Sequence, residues 1–190
     1  MTPRTHGPWT INGSTLKYKH KLLEVYEEQV TRPNGTPGVY ATVKIKPGAA
    51  VLALDEDGYV YLARQFRYAT GRESLEVVAG AIDDGERLED AARRELREEL
   101  GIEARELIPL GRVDPMESLI DSPSHLFLAR RLQFIEAQQQ GSEQIQIVKV
   151  SLAEACRLVY VNEITHGSSC VLILRADKFL RDETHAGGEA

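Results

Sequence analysis

Residues Gly80–Ile102 read GAIDDGERLEDAARRELREELGI, and no other stretch constrains the chain as tightly. Glu86 to Leu100 has no proline or glycine and is rich in Ala, Leu, Arg and Glu, which predicts a helix over 86–100. Asp83, Asp84 and Glu86 stand at its N-terminal end, where the aligned peptide dipoles favour negative charge. Gly101 follows it, where a left-handed residue commonly stops a helix. Leu88, Ala92, Leu96 and Leu100 recur every fourth residue and form a stripe that needs burial. Glu95, Glu98 and Glu99 share a different face at i, i+3 and i+4. Carboxylates that close repel one another unless a cation sits among them. Hard oxygen ligands of this kind suit Mg²⁺ or Mn²⁺. The competing reading is a solvated acidic face on which Arg94 and Arg97 pair with the glutamates.

The spacing decides between the two. The stretch has the form G-x5-E-x7-R-E-U-x-E-E-x-G-U, with U aliphatic, and seven positions fixed in identity. With each residue type at roughly 6–7% usage, a chance match at one start is on the order of 10⁻⁸. The pattern resembles the Nudix box, the metal-binding catalytic motif of the Nudix hydrolases. That resemblance extends over about Gly48 to Phe179. It implies an α/β/α sandwich around a mixed sheet, an α+β fold in which the box is a strand-loop-helix unit.

Composition sets the outer limits. The chain has 190 residues, 42% hydrophobic and 27% charged, enough for one domain with a core and an added arm. Its net charge of −6 argues against a nucleic-acid surface, though not against a nucleotide, since bound cations invert the local field. Two cysteines, Cys156 and Cys170, are too sparse for a disulfide scaffold and read as small buried groups in C-terminal helices. The N-terminal residues lack the apolar run of a signal peptide, and no stretch approaches a membrane span. The expectation is a cytoplasmic protein.

Around the box the reading is mostly strands. Trp9–Leu16, Leu22–Arg32 and Val39–Lys46 form a candidate β arm, with a turn cluster at Pro33–Gly38. Ala49–Leu54 and Tyr59–Phe66 flank an Asp-Gly hairpin turn, and Glu73–Ala79 leads into the box. Glu103–Val113, His125–Leu132 and Gln144–Val150 follow, with a polar loop at Asp114–Ser124. Ser151 with Glu154 predicts a capped helix to about Val161, and a last helix spans about Ser168–Arg181 before a frayed tail. The domain boundaries expected are an arm over 1–47, the main domain over 48–182 and a tail over 183–190.

Outside the box, Gln65-Phe66-Arg67 followed by Glu76-Val77-Val78-Ala79-Gly80 is similar to the ADP-ribose pyrophosphatase group, which includes nucleoside diphosphate sugar hydrolases. That resemblance implies residue roles. Glu95, Glu98 and Glu99 would hold Mg²⁺ or Mn²⁺ together with the Ala79 carbonyl. Arg67, Glu76 and Glu117 would face the substrate. Arg94, Glu98 and Glu143 would serve the chemistry, Glu143 as general base, with Glu117 the other candidate for that role. It further implies a homodimer exchanging its N-terminal arms. The loop Asp114-Pro115-Met116-Glu117 departs from the Ser-Pro-Gly-plus-acid pattern of the ADP-ribose enzymes, which leaves other nucleoside diphosphate sugars open. Dinucleoside polyphosphates, oxidised nucleotides and coenzyme A are the alternative substrates, and a ligand-sensing domain the non-enzymatic alternative. His125 and His166 read as hydrogen-bonded structural histidines, and no spacing supports zinc.

Overall fold

The computed structural model describes residues 2–137 and 144–186. The chain divides into two compact units, one of residues 1–46 and 114–123, the other of residues 47–113 and 124–190.

The first unit contains β1 (Arg4–His6), β2 (Trp9–Lys19), β3 (Leu23–Thr31) and β4 (Pro37–Ile45). The second contains β5 (Gly48–Leu54), β6 (Tyr59–Arg67), β7 (Arg72–Glu76), β8 (Val78–Ala81), α1 (Leu88–Leu100) and β9 (Ile102–Val113). The chain then returns to the first unit for β10 (Ile120–Asp121). It closes in the second with β11 (Ser124–Phe134), β12 (Gln146–Ser151), α2 (Leu152–Tyr160) and α3 (Gly167–Ala186).

The first unit is a sheet in the order β1-β2-β3-β4-β10. Its first four strands are antiparallel neighbours in sequence, joined by turns. β10 adds in parallel, with Ile120 opposite Val43 and Asp121 opposite Lys44. This strand was expected to be loop. Two residues carry no periodicity, and their pairing partner lies far back in the chain. Ile11 and Val30 are the buried apolar side chains of this unit, and Trp9 meets Tyr40 edge-on at 5.7 Å.

The second unit is built on a mixed seven-stranded sheet in the order β12-β6-β5-β11-β9, with β7 on β6 and β8 on β5. β5 is its centre, parallel to β11 and antiparallel to β6 and β8. Successive residues of β5 point to opposite faces. Ala49, Val51 and Ala53 pack with Ala91, Ala92, Leu96 and Leu100 of α1. Ala50, Leu52 and Leu54 pack with Ala155 and Cys156 of α2 and Leu172, Ile173 and Ala176 of α3. The result is helix, sheet, helix, the α/β/α sandwich expected.

The helix ends differ from expectation in two places. α1 begins at Leu88 rather than Glu86, because Arg87 is extended (φ −75°, ψ 149°) and Glu86 is held by other partners. α3 continues to Ala186, past the expected end at Arg181. Its extra turn is secured by Lys178 on Asp182, by Thr184 donating to the Leu180 carbonyl at 2.9 Å, and by Arg130 on Glu183 at 2.8 Å. Ser151 caps α2 as predicted, its hydroxyl accepting from the Glu154 N–H at 3.1 Å. Cys156 is buried and Cys170 half-buried, both as free thiols, and burial raises the pKa of each. Among the described residues, no helix is long and apolar enough to cross a membrane.

Candidate active site

The box joins β8, a turn at 82–87, and α1. Its glycines Gly80 and Gly101 are both required by contact, and Gly101 by conformation as well. A Cβ on Gly80 would lie 2.0 Å from the Glu95 carboxyl carbon, so the Glu95 carboxylate occupies the space a side chain would fill. Gly101 closes α1 at φ +62°, donating its N–H to the Arg97 carbonyl, and a Cβ there would meet the Ile135 carbonyl at 2.5 Å.

Arg94 organises the rest. Its Nε and Nη2 grip the two oxygens of Glu86 at 2.8 and 2.9 Å. Nη1 reaches Glu95 Oε1 at 2.6 Å and Glu98 Oε2 at 3.4 Å, and Nη2 also donates to the Ala81 carbonyl at 3.0 Å. Glu86 in turn accepts from the Asp83 N–H at 2.9 Å. One guanidinium therefore fastens the turn to the helix and orients two glutamates of the acidic face. The bonds from Arg94 outweigh partial desolvation and hold the Glu86 carboxyl at about 2, while Glu86 raises Arg94 above its ordinary value. The role of Glu86 was read too narrowly from sequence, as a favourable charge near the helix start. The available signal was the fixed place of Glu86 in the motif, which a favourable charge near a helix start does not by itself require.

Glu95 and Glu99 are buried, and Glu98 is partly buried. Their donor chemistry fits a hard divalent cation, and the close seat of Glu95 on Gly80 brings carboxylate oxygens to the residue after Ala79. Ala79 lies in β8 opposite Ala50. Among the described residues, no three acidic, histidine or cysteine side chains are gathered as a metal cluster; Glu95 and Glu98 instead turn toward Arg94.

Arg67 and Glu76 are brought together on neighbouring strands. Arg67 Nε donates to Glu76 Oε1 at 3.1 Å and Nη2 to Oε2 at 2.6 Å, a two-pronged pair. Glu76 is buried. Burial alone would raise its pKa, but bonds from Arg67 and Ser74 and the charge of Arg67 leave it lowered. Glu117 lies exposed in the first unit, in the segment before β10. Glu143 lies outside the described residues.

The NUDIX domain family model matches residues 44–168. The ADP-ribose pyrophosphatase of Bacillus subtilis (strain 168) is 32% identical over 149 residues, covering 77% of this chain and 80% of that protein. The ADP-ribose pyrophosphatase of Mycobacterium tuberculosis (strain ATCC 25618 / H37Rv) is 28% identical over 168 residues, covering 87% and 81%. In fold, a crystal structure of an ADP compounds hydrolase superposes with a TM-score of 0.82 at 23% identity, over 95% of this chain and 98% of that one. The chain belongs to the Nudix hydrolase family, as a pyrophosphohydrolase that resembles the ADP-ribose pyrophosphatase group.

Proposed function

We propose that the chain hydrolyses the pyrophosphate of a nucleoside diphosphate linked to a sugar, ADP-ribose or another such nucleotide sugar, to a nucleoside monophosphate and a sugar phosphate. The observation that carries this is the acidic face of α1, held by Arg94 with Glu95 seated against Gly80. The relatives named ADP-ribose pyrophosphatase support the substrate class.

Glu95, Glu98, Glu99 and the Ala79 carbonyl would hold Mg²⁺ or Mn²⁺. Bound there, the ion would polarise phosphoryl oxygens and offset the charge of the diphosphate. The protein's own groups do the remaining work. Arg94 keeps the glutamates in one arrangement through the cycle. Arg67, backed by Glu76, presents a planar cation suited to phosphate oxygens. Glu143 takes the proton of the attacking water, with Glu117 the other candidate. Attack by water on phosphorus breaks one anhydride bond, and each new phosphate retains one oxygen of the former bridge or of the water.

The arm is proposed to form a homodimer. Leu16, Tyr18, Leu22, Val39 and Tyr40 of the first unit are exposed in the single chain, and strand edges invite pairing. Sedimentation at micromolar concentration tests this, and a fully active monomer would refute it.

The test of function is a panel of ADP-ribose, GDP-mannose, ADP-glucose, diadenosine polyphosphates and nucleoside triphosphates with Mg²⁺, scored by product mass. Release of a nucleoside monophosphate and a sugar phosphate is expected. Cleavage of the polyphosphates alone would move the chain to another Nudix substrate class.

A further inference from the structure

Behind Arg67 runs a chain of hydrogen bonds that contains no residue of the box. Glu76 ends β7, and Val77 is the joint between β7 and β8. The buried Val77 N–H donates to Ser169 Oγ at 3.0 Å. Ser169 is fully buried in the first turn of α3 and lies 2.8 Å from His166 Nδ1. Ser169 Oγ accepts from Val77 and has one hydrogen of its own to give; directed to Nδ1, that hydrogen leaves the imidazole neutral with its proton on Nε2. Desolvation lowers the pKa of His166, with Arg67 acting the same way and Glu76 opposing, which agrees with a neutral ring. The same Nδ1 lies 3.5 Å from Glu76 Oε2, the oxygen that Arg67 holds at 2.6 Å. An unprotonated Nδ1 has no hydrogen with which to draw that oxygen away. Arg72 adds a second tie, donating to Thr165 Oγ1 at 3.0 Å just before the helix.

We propose that His166 is a positioning residue: by receiving the Ser169 hydrogen it holds Ser169 on the Val77 N–H, fixes the peptide that carries Glu76, and leaves Glu76 Oε2 to Arg67. The guanidinium is then presented to substrate phosphate in one orientation. This rests on the reading of Arg67 as a phosphate-binding group given above. The chemistry at position 166 is specific. An acceptor is needed toward Ser169, and a cation there would compete with Arg67 for Glu76.

Two substitutions in the full chain separate this from a packing role. His166→Phe keeps a ring and removes the acceptor, whereas His166→Asn places a side-chain oxygen near the position of Nδ1. Loss of one hydrogen bond in the relay is expected to raise KM for the nucleotide sugar about five- to tenfold in His166→Phe, with kcat and the KM of His166→Asn within about twofold of the parent. A second readout needs no substrate. The ¹⁵N–¹H resonance of Arg67 Nε, assigned by its loss in Arg67→Lys, should exchange its hydrogen faster in His166→Phe and return to the parent rate in His166→Asn. That exchange pattern in a protein that hydrolyses no nucleotide sugar would overturn the substrate reading and uphold the relay. Unchanged KM and unchanged exchange in both variants would overturn the relay. So would equal losses in both variants accompanied by a lower Tm.

Discussion

Arg94 and Arg67 both grip glutamates, yet they draw their partners from different distances. Arg94 gathers Glu86, Glu95, Glu98 and the Ala81 carbonyl from one helix, the turn before it and the end of β8. Arg67 holds Glu76 across two strands, and the peptide beyond Glu76 is anchored by Ser169, 92 residues from Val77. The first cluster is local and sits on the acidic face itself. The second is assembled by the sheet and the last helix and touches none of the box glutamates in any bond described above. The difference teaches a division of labour: the local cluster should govern the chemical step, and the assembled one the grip on substrate.

The largest effect expected is on the local side. Glu99→Gln should lower kcat by roughly 10²–10³-fold, the size of loss typical for removing one preorganised charged contact to a transition state. Its Tm should change little, and parent activity should vanish in excess chelator and return with Mg²⁺ or Mn²⁺. A folded variant with parent kcat would remove Glu99 from the ligand set. Next, Arg94→Lys keeps the charge and loses the fork, so kcat should fall about 10- to 100-fold, as for other groups that orient ligands. An unchanged kcat would show that the glutamates hold their arrangement without it.

Arg67→Lys should act on the other side of the comparison. KM should rise about tenfold while kcat holds, because a two-pronged contact becomes a point charge. If kcat falls and KM stays, the division of labour is wrong. The smallest effect concerns pH. The Glu86 carboxyl is lowered from 4.5 to about 2 in the folded chain, chiefly by Arg94. A lowered carboxyl contributes stability above its unfolded value and loses it as pH falls through the folded one. The Tm difference between the parent and Glu86→Gln should therefore be full above about 4.5 and close as pH approaches about 2. Thermal melts across that window check it, and a gap that widens toward acid would contradict the pairing.

The same contrast explains what could be read before the fold was known. The box was legible because its reasons lie within one helix and its flanks: the stripe Ala92, Leu96 and Leu100 is buried, and Gly101 is left-handed. The hairpin of β5 and β6 about its Asp-Gly turn and the Ser151 cap were legible for the same local reason. β10 was missed because its strand character comes only from lying beside Val43 and Lys44. Glu76 is brought to Arg67 by the pairing of β6 with β7. That His166 and Ser169 stand behind it was not visible, because the sheet and α3 bring them there. The far end of α3 was cut short because its support comes partly from Arg130 on another element.

β5 carries a further consequence, for how such a chain tolerates change in length. Its neighbouring residues serve two separate cores, with Ala49, Val51 and Ala53 beneath α1 and Ala50, Leu52 and Leu54 beneath α2 and α3. Inserting a single residue ahead of the strand exchanges the two sets. Leucines then stand where alanines let the box helix approach, and the helices opposite lose what they pack on. A lineage carrying this fold can lengthen the turn at 55–58, whose residues are mostly exposed, but β5 itself can neither gain nor lose a residue without moving the box.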